Sequence, residues 1–195
     1  FMAQGALHVV TANARGLFLN RREGRRFKAA KDPYYIDALG WGTGQIALYD
    51  RQGDWWFATW AGAVRSTAPS LEALPANPGR RYGTREGVWT DKAFKVFEDS
   101  HGDVWIGTWD MLHNISRWRR DSGRVERHKA RTFPYSEGQG FGFVPETFAE
   151  APAGTIWTGS VYGGVARFMN GRWDYFDEQD GAPAGRIQKM FRDSA

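Results

Sequence analysis

The chain has 195 residues, enough for one or two domains, with 42% hydrophobic residues and a formal net charge of +4. Its Arg residues are scattered, which argues against the clustered basic footprint of a nucleic-acid groove. The absence of cysteine excludes disulfides and thiolate metal sites, no apolar run approaches the length of a membrane span, and no signal-peptide pattern is visible.

In chain order, a worn motif comes first, with Gly5, His8 and Thr11 at places that later copies fill with Gly, Trp and Thr. Strand-like runs follow at Leu17 to Leu19 and Arg25 to Phe27, separated by the turn signal Arg22-Glu23-Gly24. Gly40-Trp41 reads as a loop. The next copy is Tyr49-Asp50-Arg51-Gln52-Gly53-Asp54-Trp55-Trp56-Phe57-Ala58-Thr59. After the Val88-Trp89 loop comes Glu98-Asp99-Ser100-His101-Gly102-Asp103-Val104-Trp105-Ile106-Gly107-Thr108. The runs Ile115 to Trp118 and Arg124 to His128 then flank Asp121-Ser122-Gly123. After the Gly140-Phe141 loop comes Glu150-Ala151-Pro152-Ala153-Gly154-Thr155-Ile156-Trp157-Thr158-Gly159-Ser160. Val165 to Phe168 and Arg172 to Phe176 flank Asn170-Gly171, a strong hairpin signal. Gly181-Ala182 leads toward a fifth start at Ile187.

The shared frame is D-x-x-G-x-x-W-x-G-T, with Ala151 in place of Asp in the last full copy. Asp at the first position and Gly at the fourth mark a type I turn, and Pro152 is expected to favour the same turn. Two hairpins per repeat give four strands, A to D, in about 50 residues, the period of propeller blades. The expectation is therefore an all-β fold, a β-propeller of about four four-stranded blades forming part of a larger, seven-bladed one. The approximate repeats are 1–40, 41–88, 89–140 and 141–182, with a fifth starting at 183. The chain stops within a turn motif and shows no cap, so association through exposed blade edges is expected.

Tyr82-Gly83-Thr84-Arg85-Glu86-Gly87-Val88-Trp89 and the stretch from Ala93 to Thr108 resemble the two-component regulator propeller repeat, and Phe176 to Pro183 with Ile187 to Ser194 resemble its next copy. The resemblance extends over nearly the whole chain. It departs where the first copy lacks Trp and Asp, and where Asp110 to Asn114 replace the usual glycine-leucine. It implies a periplasmic or extracellular sensor module, with the remaining blades and downstream signalling domains, a histidine kinase among them, in the same chain as partners. A homodimer is compatible with it. It implies no cofactor and no metal.

Strand parity puts the A–B and C–D hairpins at one end of each blade and the B–C loops and D–A connections at the other. Propellers generally bind ligands on the side with irregular loops. On that side the B–C segments offer Trp60, Trp109, Asp110, His113 and Tyr162; the D–A segments offer Tyr34, Tyr35, Trp41, Arg85, Trp89, Asp91, Tyr135 and Phe141. Aromatic faces stack on sugar rings or planar ligands. Asp50, Gly53, Trp56, Asp99, Gly102, Trp105, Gly154 and Trp157 read as structural, because they recur in register. Trp41, Trp89 and Phe141 also recur and suit packing between blades. His113 has no ligand partner at metal-binding spacing, and Glu98-Asp99 on one strand point to opposite faces.

The chain shows no phosphate loop, zinc motif, nucleophile elbow or thiol nucleophile. The reading is a non-catalytic sensor of a small molecule or oligosaccharide, with no nucleic-acid partner. The alternatives are a carbohydrate-cleaving propeller using Asp91, Asp110 or Glu137, and a protein-binding scaffold. Against cleavage, the turn has one residue too many between Asp and Gly for an Asp-box.

Overall fold

A computed structural model describes residues 1–13, 16–31, 44–77, 79–110, 112–129, 132–134 and 140–193. Four antiparallel four-stranded sheets follow one another along the chain, each in simple up-and-down order. Blade 1 holds β1 (Met2–Ala3), β2 (Ala6–Asn13), β3 (Gly16–Glu23) and β4 (Arg26–Lys31). Blade 2 holds β5 (Ala47–Tyr49), β6 (Trp55–Thr59), β7 (Gly62–Ser66) and β8 (Arg80–Tyr82). Blade 3 holds β9 (Ala93–Glu98), β10 (Val104–Thr108), β11 (Ile115–Trp118) and β12 (Val125–His128). A short hairpin of β13 (Thr132–Pro134) and β14 (Gly140–Gly142) follows. Blade 4 holds β15 (Pro145–Glu150), β16 (Ile156–Ser160), β17 (Val165–Met169) and β18 (Arg172–Phe176). The fold is a β-propeller arc, as the repeat requires.

The blades stack face to face, and side-chain alternation decides which face each residue serves. Trp55 and Phe57 of β6 join Ala3 and Leu19 of blade 1, whereas Trp56 and Ala58 pack with Val96, Val104, Ile106 and Trp118 of blade 3. One strand on, Trp105 turns from blade 2 toward Phe143, Phe148 and Phe168 of blade 4. Every residue of β6 and of β10 is buried, because a second strand is covered on both faces. The fourth strands are the wet edge, and Val125–His128 has no buried residue. The glycine of W-x-G is a clearance: a Cβ at Gly107 would come within 2.7 Å of Pro145 Cγ on the next blade.

The Asp of the repeat does more than start a turn. Asp50 Oδ1 accepts from the backbone N–H of Gln52 and Asp54 at 3.0 and 2.9 Å, and Asp50 Oδ2 accepts from Trp56 Nε1 at 3.0 Å. Asp99 repeats the pattern with His101, Asp103 and Trp105 at 2.9, 3.0 and 2.8 Å. Gly53 and Gly102 sit at φ 90° and 81°, the left-handed conformation that glycine takes without strain. Where Ala151 replaces Asp, its carbonyl accepts from Trp157 Nε1 at 2.8 Å, and Glu150 Oε1 takes over a turn N–H, that of Gly154, at 2.6 Å. The turn also closes one residue later, through Thr155 N–H to Pro152 O rather than a Gly N–H to the first position. The expectation that Pro152 restores the same turn is thus corrected by one position.

Three other features depart from the sequence reading. Blade 1 joins β1 to β2 by a two-residue turn, with Gln4 and Gly5 at φ 49° and 71°. Blade 2 joins β7 to β8 by a 3-10 helix, Leu71–Ala76, instead of a tight hairpin. Leu71 and Leu74 of that helix are buried beside Trp55 and Phe57, filling space where blade 1 carries His8 in the Trp place. Gly140 and Phe141, read as loop, have strand backbone in β14 paired with β13.

Two outcomes follow from a buried carboxylate, Asp99, and a half-buried imidazole, His128. Asp99→Ala should lower stability by roughly 2–4 kcal/mol in urea denaturation, because it orphans two backbone N–H groups and an indole N–H. His128 stacks on Trp105, Phe168 and Trp173, with ring centroids 5.0, 5.1 and 5.9 Å away. Burial, aided by the nearby Arg117 charge, lowers its pKa from 6.5 to about 4. The unfolded chain therefore binds a proton that the folded chain refuses, so stability should fall as pH drops from about 6.5 to about 4. His128→Phe should flatten that part of the stability–pH curve by a term on the order of 2 kcal/mol.

Candidate functional site

Two ends of the arc differ in chemistry. At the turn end, charged groups are used up in joining blades. Arg120 Nη2 of blade 3 reaches Asp50 Oδ2 of blade 2 at 2.6 Å. Glu98 accepts from the backbone N–H of Arg51 at 3.2 Å, and one blade further Glu150 Oε2 accepts from the N–H of Ser100 at 2.7 Å. A groove of about 490 Å³ lined by His101, Asp103, Arg117, Arg119, Arg120, Asp121 and Gly154 lies here. Its arginines already hold acids: Arg117 pairs with Asp103 at 2.7 Å, and Arg119 with Asp121 and Glu126 at 3.1 and 3.2 Å. This end is a structural lattice.

These arginines reveal a repeat that the sequence reading missed. Arg21, Arg65, Arg117 and Arg167 sit opposite His8, Trp56, Trp105 and Trp157 on the neighbouring strand. Three lie over those indoles at 5.9, 5.0 and 5.6 Å, a cation–π contact. Asp54 and Asp103, each directly after the turn Gly, anchor Arg65 and Arg117 at 2.5 and 2.7 Å. The Asp after Gly in two copies was the available signal. The Arg signal was blurred because the loop between second and third strands varies in length.

At the loop end, the sequence-predicted residues assemble into two groups. Trp60, Trp109 and Tyr162 come from the ends of the second strands of blades 2, 3 and 4 and form a row. Trp109 lies 6.4 Å from Tyr162, ring to ring, and 5.5 Å from Phe94 beneath it. Lys92, whose carbonyl accepts from Trp109 N–H at 2.9 Å, places its ammonium 5.7 Å over Trp60. Trp60 and Tyr162 are 39% and 37% exposed, unlike the buried Trp55, Trp56 and Trp105. The second group is Trp89, whose ring lies 4.5 Å from His113 and beneath Arg127 at 5.0 Å. Trp89 Nε1 donates to His128 O at 3.0 Å, which ties this residue to blade 3 as packing between blades would.

The remaining candidates divide. Asp110 N–H donates to Asn114 Oδ1 at 2.6 Å, and Asn114 Nδ2 donates back to Asp110 O at 3.0 Å, which braces the Asp110–Asn114 loop. Arg85 is exposed in a short 3-10 turn, Thr84–Glu86. Asp91 Oδ1 accepts from Thr84 N–H at 2.7 Å and Thr84 Oγ1 at 3.1 Å, so it serves the loop. Trp41, Tyr34, Tyr35, Tyr135 and Glu137 lie outside the described residues, and only the backbone of Phe141 is described. Thr59 Oγ1 donates to Gly62 O at 2.6 Å, and Ser160 Oγ accepts from Tyr162 N–H at 3.1 Å. Thr108 Oγ1, at the same place in blade 3, is buried without a partner among the described residues. Among those residues no group of acids and histidines is placed to hold a metal, and no helix is long and apolar enough to cross a membrane.

No protein-family model matches the sequence, and no curated protein matches it. Solved structures do share its fold. The extracellular domain of the one-component system BT4673 from B. thetaiotaomicron superposes with a TM-score of 0.58 at 15% identity, over 86% of this chain and 23% of that one. The extracellular domain of the hybrid two-component system BT3049 from the same organism gives 0.52 at 18% identity, over 86% of this chain and 24% of that one. The chain thus spans about a quarter of the length of these structures and shares their fold.

The division between core and surface tryptophans has a direct test. Trp56→Ala should cost roughly 3–5 kcal/mol in chemical denaturation, through the cavity left between blades 2 and 3. Trp60→Ala should cost under about 1 kcal/mol, as surface changes do.

Proposed function

We propose that this chain is a ligand-sensing segment of an extracytoplasmic β-propeller in a two-component-type signalling protein, binding a small molecule or oligosaccharide without turnover. The observation that supports this most is the row of Trp60, Trp109 and Tyr162 across three successive blades, with Trp60 and Tyr162 exposed and Trp109 half-buried. Aromatic rings carried on rigid sheets at the ends of three blades suit a ligand with flat units. Lys92, over Trp60, adds a charged donor at the edge. Likeness of fold to the extracellular domains of one- and two-component systems agrees with this reading. Ligand bound across blades 2 to 4 would bias how those blades sit on one another, and signalling follows from any difference in affinity between the two arrangements.

A glycan array with thermal-shift follow-up on the full-length propeller tests the proposal. The expected result is a glycan that raises Tm, is recovered unchanged, and loses at least tenfold in affinity, about 1.4 kcal/mol, in the Trp60→Ala/Trp109→Ala double variant. Release of a cleaved product would replace the sensor with a hydrolase or lyase. Binding indifferent to both tryptophans would move the site elsewhere.

A further inference from the structure

The first strand of each blade is an edge of its sheet. One side pairs with the second strand, and the other carries main-chain groups with no partner in the sheet. Where such an edge packs against its neighbours, those groups need partners from elsewhere. On β9 and β15 one residue meets them. Gln45, two residues before β5, accepts the Val96 N–H on its main-chain O at 2.7 Å. Its side chain crosses to β15, where Oε1 accepts the Phe148 N–H and Nε2 donates to the Phe148 O, both at 2.7 Å. Val96 and Phe148 hold the same place in successive blades, opposite Ile106 and Thr158 on the second strands. Gln45 thus meets equivalent edge positions of blades 3 and 4 at once, and one carboxamide supplies the donor and acceptor that a neighbouring strand would offer.

The two arms of this contact differ in firmness. The main-chain arm belongs to blades 2 and 3. Beside the Val96 bond, the buried Lys95 donates from Nζ to Gly44 O at 3.0 Å, a charge-assisted contact. One residue on, Ile46 O accepts the Ala58 N–H of β6 at 2.8 Å. The side-chain arm rests on two neutral hydrogen bonds from a half-buried residue, and water near the surface can replace both partners. Gln45 is also held at φ 53°, the left-handed region that a residue with a Cβ enters at a cost. Its bonds must offset that cost as well as the loss of side-chain freedom. The joint at the turn end is of another kind. Arg120 meets the buried Asp50 at 2.6 Å, and such charged bonds are roughly twice as strong as neutral ones. Of these joints between blades, the Gln45 carboxamide is the one that yields first.

We propose that the Gln45 carboxamide is a releasable latch between blade 4 and the joined blades 2 and 3. Closed, it covers the Phe148 edge and fixes the spacing of the inner strands. Open, it returns the Phe148 N–H and C=O to water, and blade 4 shifts about the turn end, where Glu150 holds the Ser100 N–H. A ligand with unequal affinity for the two states would bias the latch. The latch is separate from the aromatic row and does not depend on the glycan reading.

The test is residue-resolved hydrogen exchange on the full-length propeller, with each variant compared with the wild type at the same pH. Gln45→Ala should lower protection of the Phe148 amide at least about tenfold and leave Val96, which bonds to the main-chain O, within about twofold. Gln45→Glu keeps the length of the side chain but exchanges the donor for an acceptor. At neutral pH it should open the latch as the Ala variant does. Protonation supplies an O–H donor, so its Phe148 protection should return toward the wild-type value as pH falls from about 7 to about 4. A side chain that only fills space would give no such return. The amides of Asp54 and Asp103, bonded to Asp50 and Asp99 at the turn end, should keep their protection and so report an intact fold. The proposal falls if Phe148 stays protected in Gln45→Ala, if Val96 or the turn-end amides lose as much protection as Phe148, or if the Gln45→Glu loss does not change with pH.

Discussion

The indole N–H of the second-strand tryptophan is the group around which each repeat is organised. A tryptophan delivers the largest apolar surface available to the gap between two blades, but its Nε1–H must find an acceptor once water is excluded. In blades 2 and 3 the acceptor is the buried Asp six residues earlier. That carboxylate in turn needs cations and N–H groups, which the turn backbone and Arg117 or Arg120 supply. Turn geometry, core packing and the charge pattern at one end of the blade thus follow from one requirement. Blade 4 confirms the logic by substitution. With Ala151 in the Asp place, a main-chain carbonyl receives the indole, and the turn is rebuilt around Glu150.

The same groups join neighbours. Arg120 of blade 3 completes the counter-charge of Asp50 in blade 2, and Glu98 and Glu150 each receive an N–H from the preceding blade's turn. Blade 2 cannot settle its aspartate fully without blade 3. This is the nearest-neighbour coupling expected of a repeat array. At Pro152, the position equivalent to Arg51 and Ser100, no N–H exists to be donated. Any blade packing on blade 4 must therefore be joined by something other than this clip. The side-chain pattern already differs there: Trp157 stacks on Phe176 of its own blade.

What could be read from the residues depended on whether the signal was local. The turn, the strand after it and the face on which loops gather are consequences of spacing within ten or so residues, so Asp50, Gly53, Trp56 and their counterparts were legible. The arginines opposite the tryptophans were not, because a loop of variable length separates them and only strand register restores the match. The 3-10 helix of blade 2 was hidden for a different reason. Leu71 and Leu74 are ordinary apolar residues until blade 1 presents a histidine where a tryptophan would fill the gap. Lys95 was hidden by its neighbours: in Ala93-Phe94-Lys95-Val96-Phe97 a lysine reads as the wet face of a strand, and its burial arises only when β15 brings Glu146 across from another blade.

These two kinds of contact suggest how a propeller arc can be rigid and responsive at once. The turn end is saturated, with every described arginine of its groove paired to an acid, so ligand there would have to displace strong internal partners. The loop end has the opposite character. Its aromatic row is supported from below by Phe94 under Trp109 and is exposed at Trp60 and Tyr162. Lys95 belongs to blade 3, Glu146 to blade 4 and Gly44 to the approach to blade 2, so this buried cluster ties three blades together on the inner strands, as the aspartate clips tie neighbours at the turn end.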